Sequence, residues 1–174
     1  HDHGTAVLSG VATNQPGRMI GTAPEASFWL LRSEFGPTES EAEEDYWAAA
    51  AEFADSVGVD IINSSLGYHD FDYKATSHTY RQLNGHTALI SRTASMLADK
   101  GIVLTNSAGN DGENHWKKIT VPADADNILT VGALQRDSMN ALFSSVGNTV
   151  DGRIKPDVRA LGHECALIKG NGQI

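Results

Sequence analysis

The chain has 174 residues, of which 40% are hydrophobic and 20% charged, and a formal net charge of −9. That length buries one domain's worth of core. The negative balance argues against nucleic acid or an anionic membrane surface as partner, since both need clustered Lys and Arg. No apolar run nears the roughly 18 residues of a membrane-spanning helix, and a single cysteine, Cys165, cannot close an internal disulfide.

Apolar positions Val7, Leu8 and Val11 predict a short helix over residues 5–12. The compact run ASFWLLR at 26–32 predicts a buried strand. Residues 39–57 carry Trp47, Ala50, Ala51, Ala54 and Val57 at helical spacing, with acidic residues in the first turns and Gly58 as terminator. Residues 59–66 (VDIINSSL) predict a second strand, and the polar stretch 67–83 a long surface excursion. A second long helix is expected over 87–98, with Leu89, Ile90, Ala94 and Leu97 on one face, closed by Lys100 and Gly101. Two more strands follow, IVLT at 102–105 and ILTV at 128–131. Strands alternating with helices predict βαβ crossovers and a parallel sheet. Ligands bind such sheets at the carboxyl ends of the strands, which directs attention to residues 64–67 and 107–112.

Two side chains there and at the amino end can carry chemistry. His3, at the start of a helix with Gly4 and Thr5 behind it, is suited to proton transfer near neutral pH. Gly4 lets backbone approach the ring, and Thr5 can cap. Asn110 follows a strand and small residues, where an amide N–H can face an oxyanion. Taken singly, His3 is an ordinary surface histidine, and Asn110 suits the turn Gly-Asn-Asp-Gly.

Together, HGTAVLSG, IINSSLGY, VLTNSAGNDG and LFSSVG, followed by GRIKPDV and ALG, resemble the subtilisin-like serine peptidases over essentially the whole chain. The resemblance implies a three-layer α/β sandwich with a mostly parallel sheet, incomplete here, and an endopeptidase with an Asp–His–Ser triad. His3 then matches the general base and Asn110 the oxyanion-hole donor. Ser65, Leu66 and Gly67 match the segment that runs beside bound peptide and walls the primary specificity pocket. Ala108 and Gly109 match its opposite wall. A polypeptide substrate, no cofactor and an extracellular or cell-envelope location are implied in the same way.

The departures set further expectations. The family's aspartate lies upstream of the His helix and its Gly-Thr-Ser nucleophile beyond the KPDV segment, so residues 1–174 match the central part of one peptidase domain. Alone, the chain is expected to be inactive and to need the missing segments of its own domain or a swapped copy. Family topology places the aspartate strand between those matching 26–32 and 59–66, leaving both edges open. Asp2, one residue from His3, is no substitute for the aspartate. Ser107 lacks the first glycine of a nucleophile elbow, Ser144 and Ser145 line a structural turn, and Leu161 stands where the family usually has Pro. The loop TNQPGR at 13–18 has no carboxylate for calcium, so no metal is assigned. A free amine on His1 would let the terminus His1-Asp2-His3 chelate copper or nickel. Two alternatives remain: a non-catalytic peptide-binding relative, and an unrelated α/β binding domain.

Overall fold

The computed structural model describes residues 2–173. The chain forms two compact units, one running up to Leu30 and resuming at Glu164, the other Leu31–His163.

The first unit is built on helix α1 (His3–Ala12) and a small antiparallel pair, β1 (Asn14–Gln15) and β2 (Met19–Ile20). The predicted helix is present and starts two residues earlier. Its cap differs from expectation: Asp2 occupies the N-cap without a side-chain bond, and the space where a Gly4 side chain would lie is open. Gly21 is required, since a Cβ there would fall 2.2 Å from the Val11 carbonyl oxygen. Ser9 is buried; its hydroxyl donates to Ala6 O at 2.6 Å and accepts from Ile168 N–H at 2.7 Å, tying the carboxyl-terminal segment to α1. His1 and the chelating terminus it would form lie outside the described residues.

The second unit holds a four-stranded, wholly parallel sheet in the order β3 (Ile61–Ser64), β4 (Val103–Ser107), β5 (Leu129–Leu134), β6 (Val158–Leu161). Helices α2 (Ala42–Ser56) and α3 (Leu89–Met96) accompany it. Both long helices and three of these strands stand where the apolar spacing places them. Gly58 ends α2 at φ +72°, a left-handed turn that favours glycine. Trp47, Ala51, Ile90, Ala94, Leu97 and Leu104 share one buried cluster, and Trp47 Nε1 donates to Ser64 Oγ at 3.1 Å. The side of the sheet bearing Ile62, Leu104 and Thr130 therefore faces the helices. The other side leaves Ile61, Val103, Leu129 and Val158 exposed.

Three expectations need correction. Residues 27–35 form no helix or strand, and Phe28, Trp29, Leu30 and Leu31 are exposed. A strand exists only through a hydrogen-bonded neighbour; β3 is the edge of its sheet, and no described strand pairs with this apolar run. The segment 67–83 is no surface excursion: Tyr68, Phe71 and Leu83 are fully buried, and short 3-10 turns at Lys74–Thr76 and Tyr80–Gln82 return it to the core. Nor do the acidic residues at the start of α2 merely complement a dipole. Glu43 accepts from the Phe35 and Ser40 N–H groups at 2.8 and 3.3 Å. Glu44 accepts from Ile90 N–H at 3.0 Å and lies 2.5 Å from His78 Nε2, with both side chains buried.

Glu44 thus joins α2 to the orphan amides of α3 and to the 67–83 segment at one point. Asp124 grips the same region, accepting from Gly85 N–H at 2.8 Å and Ser91 Oγ at 2.5 Å; burial pushes its carboxyl up.

Removing a buried partner leaves the other group unpaired, so Glu44→Ala is expected to lower unfolding free energy by about 3 kcal/mol, read from urea denaturation. Glu39 gives a pH-dependent counterpart. Burial, then Glu43, Glu34 and Asp72, pushes its carboxyl from 4.5 to about 7. A carboxyl raised on folding contributes fully below its unfolded value, and that contribution is lost as pH rises through the folded one. Glu39→Gln should therefore gain melting temperature over the parent between about pH 5 and about pH 8; a constant difference would refute the assignment.

Candidate active site

The parallel register fixes the site. Ser64 of β3 lies opposite Asn106 of β4, so the chain leaves both strands at the same level. Ser65, Leu66 and Gly67 follow one strand end, and Ala108, Gly109 and Asn110 the other. A cleft of 260 Å³ opens there along the strand ends, lined among others by Asn63, Ser65, Thr105, Ser107, Asn110 and Ala133. Ser65, Ala108, Gly109 and Asn110 all line it; Leu66 and Gly67 do not. This is where a doubly wound sheet binds ligands.

The two segments are tied together from behind. The buried Asn106 amide donates to Leu66 O at 3.3 Å and to Ser107 O at 2.8 Å. Ala108 N–H is fixed to Val131 O of β5 at 2.9 Å. Gly109 takes φ +107°, and a Cβ on it would fall 2.8 Å from Ser145 Oγ, so both its conformation and its surroundings demand glycine. Ser145 brackets the next two positions: its N–H donates to Gly109 O at 3.0 Å, and its hydroxyl accepts from Asp111 N–H at 3.0 Å. Between these two bonds Asn110 is exposed, its amide without a protein partner among the described residues. An amide donor presented at a cleft on a clamped turn can stabilise negative charge on a ligand oxygen.

Beyond Asn110 the chain meets aromatic and acidic side chains. His69 stacks on Trp116 with ring centroids 4.4 Å apart, and its Nε2 lies 3.4 Å from Asp111 Oδ1. Asn114 Nδ2 also donates to that carboxylate oxygen. His69, Trp116 and the Ser145 clamp have no counterpart in the sequence reading, because their partners are 34 to 47 positions away. Ser145 was expected only in a structural turn; the structure adds its bond to Asp111. His3 belongs to the other compact unit, where it is the first residue of α1 and exposed. Ser107, on β4, lines the cleft.

The model of the subtilase family, Peptidase_S8, matches residues 1–173. The chain belongs to the subtilase family. It is 33% identical to subtilisin DY of Bacillus licheniformis over 150 residues, covering 83% of this chain and 47% of that protein. Among solved structures it resembles the PatG macrocyclase in complex with peptide, with a TM-score of 0.74 at 18% identity, over 97% of this chain and 45% of that one. It also resembles the epidermin leader peptide processing serine protease EpiP of Staphylococcus aureus, with a TM-score of 0.67 at 26% identity, over 92% of this chain and 39% of that one. The chain therefore spans about half or less of the length of these relatives. The fold class is the three-layer α/β architecture expected, with its parallel sheet. Among the described residues no helix is long and apolar enough to cross a membrane.

If Ser145 holds the Asn110 turn, Ser145→Ala should speed amide exchange at Asp111 and leave β4 protected. The lost acceptor is expected to cost about 1–3 kcal/mol of stability, checked by hydrogen exchange with mass spectrometry alongside thermal melting.

Proposed function

We propose that the protein carrying this chain is a serine endopeptidase, with His3 as general base and Asn110 as oxyanion donor. The observation that carries this reading is the placement of Asn110: an exposed amide with no protein partner among the described residues, on a turn clamped by Ser145, at the mouth of the strand-end cleft. Membership of a peptidase family along residues 1–173 supplies the chemistry.

In that chemistry His3 takes a proton from a serine hydroxyl as the hydroxyl attacks the scissile carbonyl, then returns it to the leaving amine. The carbonyl oxygen becomes an oxyanion, and the Asn110 amide N–H donates to it. Ser65, Leu66 and Gly67 form one side of the peptide path, with Ala108 and Gly109 opposite. The small residues among them, Ser65, Gly67, Ala108 and Gly109, let an extended backbone lie close to the sheet. A polypeptide substrate agrees with two structural neighbours, a macrocyclase solved in complex with peptide and a leader peptide processing protease.

The deciding experiment treats the intact protein with a fluorophosphonate serine probe and records its mass. One adduct, lost on competition with a peptide substrate, supports the peptidase; no adduct on a protein that still binds peptide supports the non-catalytic relative. In the active protein, His3→Ala should remove nearly all turnover. Asn110→Ala should lower kcat by about 10²–10³, the effect of removing this donor in subtilisin itself, with KM nearly unchanged. A loss confined to KM would contradict the oxyanion role.

A further inference from the structure

Asn106 stands at the point where β3 and β4 stop pairing. It lies opposite Ser64, the last residue of β3, and is 1% exposed. Beyond that pair, among the described residues, no backbone hydrogen bond joins residues 65–67 to residues 107–110. The Asn106 side chain bridges them instead. Its Nδ2 donates to Leu66 O at 3.3 Å and to Ser107 O at 2.8 Å. One amide group thus spends its donors on carbonyls of both segments, and Asn106 itself lines the cleft.

The other end of the same amide is unsatisfied. Asn106 Oδ1 is buried and has no hydrogen-bond partner among the described residues. A flipped amide would be worse, since Oδ1 would then face two carbonyl oxygens, acceptor against acceptor. An unpaired buried acceptor costs stability, and an apolar side chain of the same size would carry no such cost. Asparagine is therefore a poor choice for packing alone. What it supplies is a fixed spacing between Leu66 and the end of β4.

The two segments differ in how they are held. The one leading to Asn110 has supports of its own: Ala108 N–H is bound to Val131 O, and Ser145 takes both Gly109 O and Asp111 N–H. In the other, Leu66 O accepts from no group but Asn106 among the described residues, and the next anchor is the Tyr68–Val121 bridge beyond Gly67.

We propose that Asn106 is a positioning residue for peptide-bond cleavage, setting segment 65–67 against the Asn110 turn so that a peptide lying along the first presents its carbonyl to the Asn110 amide. The inference rests on the peptidase reading. Without the Asn106 bond the oxyanion donor stays on its clamped turn, while the peptide it must meet shifts. A displacement of about 1 Å lowers rates by up to about 10²-fold. The loss falls on kcat, because the misaligned hydrogen bond is one that strengthens in the transition state.

The test is a double-mutant cycle on the full-length protein, read by cleavage of fluorescein-labelled casein, with a thermal melt of every variant. Asn106→Leu keeps the volume and removes both the donor and the orphan oxygen. It should melt like the parent and lower kcat by about 10-fold with KM nearly unchanged. Added to Asn110→Ala, it should cost at most about 2-fold more, because the bond it misaligns is already gone. Should Asn106→Leu fail to fold, Asn106→Ala carries the same cycle. Losses that multiply, a loss confined to KM, or a variant with full turnover each overturn the positioning role and leave the peptidase standing. A parent that neither cleaves casein nor takes up a fluorophosphonate defeats the peptidase reading, and this inference with it.

Discussion

Parallel pairing of β3 with β4, with Ser64 opposite Asn106, brings two separate chain segments to one level at the carboxyl edge of the sheet. Antiparallel neighbours would send one segment to each end. With the parallel register, Ser65–Gly67 and Ala108–Asn110 emerge side by side, and the cleft is the space along those strand ends. Asn106, Ser145 and the Tyr68–Val121 bridge all act on segments that this pairing has already made neighbours.

Polar groups that would cost stability if left unpaired are used here as fasteners. Glu43 and Glu44 turn inward to accept backbone amides, and Asp124 takes an amide and a hydroxyl near α3. Ser145 does the same at the Asn110 turn, and Ser144, equally buried, accepts from Ala133 N–H of β5 at 2.9 Å. Loops that must hold a fixed shape without a ladder of their own thus borrow acceptors from distant side chains. Thr120 is an exception: its buried hydroxyl has no hydrogen-bond partner among the described residues.

Much of the fold was legible because helices announce themselves by local spacing. Trp47, Ala51 and Ala54 in α2, and Ile90, Ala94 and Leu97 around α3, are buried as their periodicity requires. The strands β3, β4 and β5 were legible as apolar runs bounded by turn residues. β6 was not, because Val158–Leu161 follows Pro156 and carries Arg159, a short pattern that only its pairing with β5 makes a strand. The run at 26–32 failed for the opposite reason, having the composition of a strand and no described neighbour. The segment 67–83 misled because polarity in the sequence says nothing about Tyr68, Phe71 and His78 turning inward.

The sequence by itself determined the family, the helices and most strands, and it singled out His3, Asn110 and residues 65–67 and 108–109 as candidates, since these rest on contiguous motifs and local spacing. Only the tertiary structure decided what stands behind them. The Glu44–His78 contact spans 34 positions and the Ser145–Asp111 bond another 34. Thr120 reaches Gly67 only because a backbone bridge joins Tyr68 to Val121. Contacts of that range depend on how strands pair and loops return, and no local pattern encodes them.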